Sequence, residues 1–305
     1  MVDLQESATA KLCSFARAFH SNFGEDKIFD DYLAYDMMGK ELYEEIGQLI
    51  ENQYQPELFD PAGGFDTGQI LPDAVNYFAP IPLSRIAFAE QELQSFSLQH
   101  GRCQYVICGA GMDTFAFRNN NPNILVFELD HPDTQRYKLQ RIENLEWSIP
   151  ENVHFTAVDF LSDDMVNALE CNGFDPELPT FCAILGVTYY LSLPVFEQTI
   201  RQIAALSKTG GRIVLDYPDE TTFQKNSVPR IKYLSMVTKK LGEPMVQGFS
   251  FQNMEDALEQ NGFSIENHMT PEKIQKEYFA NRNDQQRAFE NIHFILAKKE
   301  NAHHE

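Results

Sequence analysis

Residues 104–118 read QYVICGAGMDTFAFR, and residues 124–130 read ILVFELD. Tyr105, Val106, Ile107 and Cys108 form a short apolar run with β-branched members that ends directly on Gly109-Ala110-Gly111. Such a run, bounded by glycine, reads as a buried strand driving into a tight turn. Glycine is the residue such a turn needs: without a Cβ it tolerates positive φ and lets a ligand come close to the backbone. The second run ends in acid, with Asp130 standing 19 residues after Gly111. That is near the offset of roughly 20 residues at which an acidic side chain reaches ribose hydroxyls in nucleotide-binding βαβ units. Glu128 points to the same side of the strand, because side chains repeat every second residue.

Two ligands compete for this unit. A dinucleotide-dependent oxidoreductase on a Rossmann sheet wants G-x-G-x-x-G, whose third glycine allows close helix packing and whose helix start holds a pyrophosphate. Here the third place is Thr114, preceded by Asp113. An acid at the mouth repels a pyrophosphate but suits a ligand that carries an ammonium group and a sulfonium, as S-adenosylmethionine does.

GAGMDTFAFR, followed by VFELDHPDTQRYKLQRI, AVDF at residues 157–160 and ILGVTYYLSLPVFEQTI from Ile184, resembles the leucine carboxyl methyltransferase family, with its tetracenomycin-type polyketide O-methyltransferase branch. The similarity runs in order from about Phe15 to Tyr217. It implies an α/β fold: a seven-stranded Rossmann-like class I methyltransferase sheet whose last strand is antiparallel. It also implies S-adenosylmethionine as cofactor and O-methylation of a carboxylate or phenolic oxygen on a small, polyketide-like acceptor. Beside Gly109, Gly111, Asp113, Glu128 and Asp130, the resemblance assigns Arg85 to the cofactor's carboxylate, for which a guanidinium's fork of donors is suited. Read alone, Arg85 is a solvated helix arginine. Arg17, in FARAF, is similar to a basic position near the family's amino terminus. Where the family carries a glutamate before its G-V-x-x-Y-L run, this chain has Leu185. The cofactor's charged end thereby loses one partner, which shifts the task to Asp113 or a backbone carbonyl, or leaves a protein that binds the cofactor without turnover.

The net charge of −21 argues against nucleic acid and anionic membranes as partners, because phosphates are held by basic stripes that this chain lacks. Hydrophobic content of 43% with 12% aromatics is that of a packed globular protein. Five cysteines (Cys13, Cys103, Cys108, Cys171, Cys182) without C-x-x-C spacing imply neither a disulfide framework nor a zinc site, and no metal is expected. The acidic amino terminus has no apolar core and no apolar run reaches the ~18 residues of a membrane span, so a cytoplasmic protein is expected.

Apolar residues recur at spacings of three and four through Leu12, Phe15, Ala16, Phe19 and Phe23, and again from Ile28 to Leu49, which predicts core-facing helices. Residues 56–68, rich in Gly, Pro and Asp, read as a loop, and Ser84 as the cap of a helix running to about His100. Residues 1–100 thus read as a helical extension, and residues 101–305 as the α/β domain. In that domain strands are expected at 104–108, 124–129, 153–158, 181–187, 212–217, 263–267 and 293–297. Helices are expected at about 131–146, 162–170, 194–207 and 251–261. Residues 218–250 exceed the ~2 to 6 residues a sheet connection needs, so they read as a lid insertion. Arg230, Lys232, Tyr233, Lys239 and Lys240 make it locally basic, either to attract an anionic acceptor or as a solvated face.

Asp159 and Phe160 follow the third strand where an adenine is expected: the acid can accept from an exocyclic amine, the ring can stack, and Asp159 could instead cap the next helix. Tyr189 and Tyr190, on a loop facing the pocket, are candidates to orient an acceptor or ordinary packing residues. His131, His154, His268 and His293 show no triad-like order, and none is nominated as a base. A sulfonium methyl is already activated, so a carboxylate acceptor needs only alignment and exclusion of water, whereas a phenol needs a base the sequence does not name.

Overall fold

The computed structural model describes residues 7–53, 69–160, 162–284 and 286–301. The expected 56–68 loop lies outside the described residues. Seven strands form one sheet in the order β3-β2-β1-β4-β5-β7-β6. They are β1 (Cys103–Cys108), β2 (Ile124–Asp130), β3 (Val153–Ala157), β4 (Thr180–Ile184), β5 (Arg212–Pro218), β6 (Phe263–Met269) and β7 (Ile292–Lys299). The first five strands pair in parallel, and β7 runs antiparallel to both β5 and β6.

Every residue of β1 and of β4 is buried, as strands covered by helices on both faces must be. On one face Tyr105, Ile107, Phe181 and Val214 pack under Phe88, Leu93 and Phe96 of the Pro80–His100 helix. On the other, Val106, Cys108, Phe127 and Ile184 meet Phe196, Ile200 and Ile203 of the Leu193–Leu206 helix. Burying a side chain of this size contributes about 1.5–3 kcal/mol each, so the two layers dominate folding. The five cysteines are free thiols.

Before the sheet, the Ala8–Phe23, Ala34–Met38 and Lys40–Gln53 helices share a core of Phe15, Ala16, Ala34, Met38 and Ile46 with Val75 and Leu83. The expected second amphipathic stripe is broken at Gly39, whose φ of +80° separates two helices. Ser84 is not a cap. The helix starts at Pro80, whose fixed φ suits the first turn, and Ser84 lies inside it with its hydroxyl donating to the Pro80 carbonyl at 2.6 Å. Nor does Asp159 cap the next helix: that helix begins at Met165, with Asp164 accepting from the Asn167 N–H.

Within residues 218–250 lies the Pro229–Lys240 helix. Arg230 is not part of a solvated basic face. It is 2% exposed, its guanidinium lies 3.7 Å from the Phe289 ring centroid, and it donates to the carbonyls of Tyr77 (2.6 Å) and Ala288 (3.0 Å). Lys232, Lys239 and Lys240 are exposed, while Leu234 and Val237 of the helix and Leu241 just beyond it line the cavity, so these basic residues do not.

Candidate active site

The parallel register brings Cys108, Leu129 and Ile184 level at the carboxyl ends of β1, β2 and β4, and the chain turns away from the sheet just beyond them. Gly109 (φ +74°) and Gly111 (φ +51°) make the turn after β1. The N–H groups of Gly109 and Ala110 donate to the Leu129 carbonyl at 2.8 and 3.1 Å, which ties that turn to the end of β2. A Cβ on Gly109 would meet Val187 Cγ2 at 2.5 Å, so the β4 turn presses directly on it. Asp130 completes the floor. One of its carboxylate oxygens accepts from the Gly111 N–H at 2.5 Å and the other from the His131 N–H at 2.7 Å. Burial raises its pKa from the usual carboxylate value, and the two backbone N–H groups oppose that rise.

A cavity of about 590 Å³ opens over this floor. Of the expected site residues, Arg17, Arg85, Gly109, Gly111, Asp113, Asp130, Asp159, Phe160, Leu185, Tyr189 and Tyr190 all line it. Glu128 does not. It is 1% exposed and paired with buried Lys138, and burial pushes its carboxyl up to about 7 against the opposing lysine. Strand alternation places Glu128 and Asp130 on one side, but Lys138, arriving on the Pro132–Asn144 helix, closes over the first of them.

The two arginines are held rather than free. Arg17 donates to the Asp31 carboxylate and, at 2.9 Å, to the Met112 carbonyl in the glycine turn. Asp31 is fully buried and also takes the Thr114 hydroxyl and Arg118. Thr114, the would-be third glycine, is thus a buried tether, and the helix behind it spans only Phe115–Arg118. One helical turn offers a pyrophosphate a poor seat, so the local structure does not support the dinucleotide reading. Asp113 accepts from the Phe115 N–H at 2.6 Å and keeps its place at the mouth.

Arg85 reaches Asp216 with Nη1 at 3.1 Å and Cys13 Sγ with Nη2 at 3.6 Å, and its Nε is buried without a hydrogen-bond partner. Burial alone would lower its pKa, and the Asp216 carboxylate more than reverses this, so the guanidinium stays charged. Tyr189 donates its hydroxyl to Asp216 at 2.7 Å and Tyr190 to Thr9 at 3.2 Å. Burial drives both phenols well above their ordinary value, which makes neither a ready base.

Across the cavity, Glu243 stands where residues 218–250 meet the amino-terminal helix. It accepts from the Ala8 N–H (2.6 Å), the Thr9 N–H (3.1 Å) and the Ser7 hydroxyl (3.0 Å), and so satisfies the open N–H groups of that helix start. Beneath this closure the wall is apolar, with Leu12, Ile50, Phe78, Ile81, Val237 and Met245 facing inward from six segments. Asp216, Asp31 and Glu243 were missed in the sequence. Asp216 carried a usable signal, an acid directly after the apolar IVL of IVLDYP, as Asp130 closes ILVFELD.

A parallel sheet closed by one reversed strand, with its cavity at the carboxyl ends of the strands over a glycine turn and a strand-end acid, defines a class I methyltransferase fold. Two solved structures share it along almost the whole chain. A DUF574-family protein from Streptomyces avermitilis MA-4680 has a TM-score of 0.60 at 11% identity, covering 98% of this chain and 100% of that one. A protein from Thermobifida fusca YX, described as a methyltransferase, has a TM-score of 0.60 at 10% identity, covering 98% and 97%. The family model for leucine carboxyl methyltransferase matches residues 10–204. YktD of Bacillus subtilis (strain 168), assigned to the S-adenosyl-L-methionine-dependent methyltransferases, is 34% identical over 302 residues, 97% of this chain and 98% of that protein. A relative from Mycobacteroides abscessus with the same assignment is 30% identical over 210 residues, 68% of this chain and 66% of its own. The chain belongs to the leucine carboxyl methyltransferase family, and is a methyltransferase by that membership.

Proposed function

We propose that this protein is an S-adenosylmethionine-dependent O-methyltransferase whose acceptor is a small, largely apolar molecule of polyketide-like character, methylated on a carboxylate or phenolic oxygen. The observation that carries the reading is the division of one cavity into a polar floor and an apolar chamber. The floor fits the cofactor on three counts: a glycine turn with no room for a Cβ, a strand-end carboxylate that lines the cavity, and a buried guanidinium with an unspent donor. When bound, the cofactor supplies a methyl group already activated by its sulfonium. The chain's own residues would then bind and orient: Asp130 accepts from the ribose, Asp159 and Phe160 flank the adenine, Arg85 takes the carboxylate, and Asp113 faces the ammonium. The helices before β1 and residues 218–250 would act as a cap that excludes water, while the aliphatic wall holds the acceptor's body by burial.

Calorimetric titration with S-adenosylmethionine and S-adenosylhomocysteine tests the cofactor, and no heat from either would refute it. Transfer of label from methyl-labelled cofactor to a panel of carboxylic and phenolic acceptors tests the oxygen chemistry. Label found only on nitrogen or sulfur acceptors would overturn the O-methyl assignment.

A further inference from the structure

Asp216 lies in β5, two residues before its end and level with Leu185 one strand over: the register pairs Ile184 with Leu215, so the next residues outward are Leu185 and Asp216. It is fully buried and does not line the cavity, yet three of its partners do. One carboxylate oxygen accepts from the Gly186 N–H at 2.7 Å, and the other from Arg85 Nη1 at 3.1 Å and the Tyr189 hydroxyl at 2.7 Å. Its backbone carbonyl accepts from the Thr188 hydroxyl at 2.6 Å. One residue thus fastens a guanidinium and the whole turn after β4. The fit is close, since a Cβ on Gly186 would lie 2.5 Å from Arg85 Nη2.

Arg85 makes poor use of the rest of its fork. Nε has no partner, and Nη2 meets a sulfur, a weak acceptor. A charged guanidinium set in a cavity wall with donors to spare is a seat for a carboxylate, provided that its long, flexible stem is fixed. We propose that Asp216 is the positioning residue that fixes it: Asp216 aims Arg85 at the carboxylate of the methyl donor's amino-acid end and locks Tyr189 as a neutral wall beside it. This rests on the cofactor reading above. The acid sits behind the arginine instead of beside the ligand, so the ligand meets a cation that is held in place without being covered.

The test compares S-adenosylhomocysteine with 5′-methylthioadenosine, which keeps the adenosine and the sulfur but lacks the amino-acid carboxylate. In Asp216→Asn the side chain keeps its size and can still accept from Gly186. The amide nitrogen then stands opposite Arg85 and Tyr189. The tyrosine hydroxyl can turn to accept from it, but a guanidinium has no lone pair to offer, so Arg85 is pushed aside. By calorimetry, Asp216→Asn is expected to bind S-adenosylhomocysteine about 10- to 100-fold more weakly, the range spanned by one hydrogen bond to a charged group, and 5′-methylthioadenosine within about twofold of wild type. Arg85→Met should show the same selective loss, and the double variant should lose no more than Arg85→Met alone. Equal weakening for both ligands assigns Asp216 a merely structural role and overturns the proposal, as does unchanged affinity for both or additivity in the double variant. A wild-type protein that binds neither ligand overturns the cofactor reading, and this inference with it. Failure of the inference alone leaves wild-type binding intact.

Discussion

Gly109→Ala asks directly whether the turn after β1 builds the site. The residue has a φ of +74°, in the left-handed region where a Cβ costs roughly 1–2 kcal/mol. The added methyl would also stand 2.5 Å from Val187 Cγ2, against an ordinary carbon contact of ~3.5–4.0 Å, so Val187 must retreat by about 1 Å. Overpacking of that kind costs typically about 1–3 kcal/mol. Backbone and packing together come to about 2–5 kcal/mol, a large share of the ~5–15 kcal/mol by which such a domain is folded. The displacement also falls on the turn whose Gly186 N–H and Tyr189 hydroxyl are bound to Asp216, so binding should suffer with stability. Urea denaturation gives the first quantity, and titration with S-adenosylhomocysteine the second. Val187→Ala removes the methyl that is struck. The Gly109→Ala/Val187→Ala double variant should therefore recover the packing share and leave the backbone share in place. A single variant as stable and as competent as wild type refutes the reasoning, and so does a double variant no better than the single one.

Three further outcomes follow from the same geometry. Asp130→Ala should weaken S-adenosylhomocysteine and 5′-methylthioadenosine alike by about tenfold or more, since both carry the ribose, and unchanged affinity in calorimetry would remove Asp130 from the sugar. Glu243→Ala takes the acceptor of the Ala8 and Thr9 N–H groups from the amino-terminal helix and should lower stability by about 1 kcal/mol in denaturant while speeding release of bound S-adenosylhomocysteine in stopped-flow; an unaltered release rate would show that this contact does not close the cavity. His20 is 2% exposed, accepts from the Ile28 N–H at 2.9 Å, and burial pushes its pKa down from 6.5 to about 4. Because the folded pKa lies below the unfolded one, its contribution is intact above pH 6.5 and is lost as pH falls from there toward 4, about 3 kcal/mol by pH 4. His20→Gln, which can still accept from Ile28 but does not titrate, should remove that acid loss from urea curves, and parallel curves for the two proteins would refute the assignment.

The centre of the sheet was legible because β1, β2, β4 and β5 are largely apolar runs punctuated by a glycine, proline or acid at or just beyond their ends, and burial on both faces leaves such runs few alternatives. The strand ends erred by up to three residues, the most at β4, which stops at Ile184 and not at 187 because Leu185 already belongs to the turn. The floor was legible for the same reason: Gly109, Gly111 and Asp130 lie within one short stretch, and their spacing carries the geometry. What sequence could not supply was the partner of a charge. Glu128 and Asp130 share one strand and one side, yet Lys138 closes over one and backbone N–H groups leave the other open to the cavity. Arg230 counted toward a basic patch, but Phe289 and the Tyr77 carbonyl, both distant in the chain, take it inside. Asp216 stands near the carboxyl end of its strand, as Asp130 stands at the end of β2, and Arg85, which claims it, is 131 residues away. An acid at or near a strand's carboxyl end is therefore a signal that a site is near, while its role is set by which donor arrives. Backbone N–H groups leave lone pairs for a ligand, whereas an arginine makes the carboxylate part of the wall and passes the task of meeting the ligand to itself.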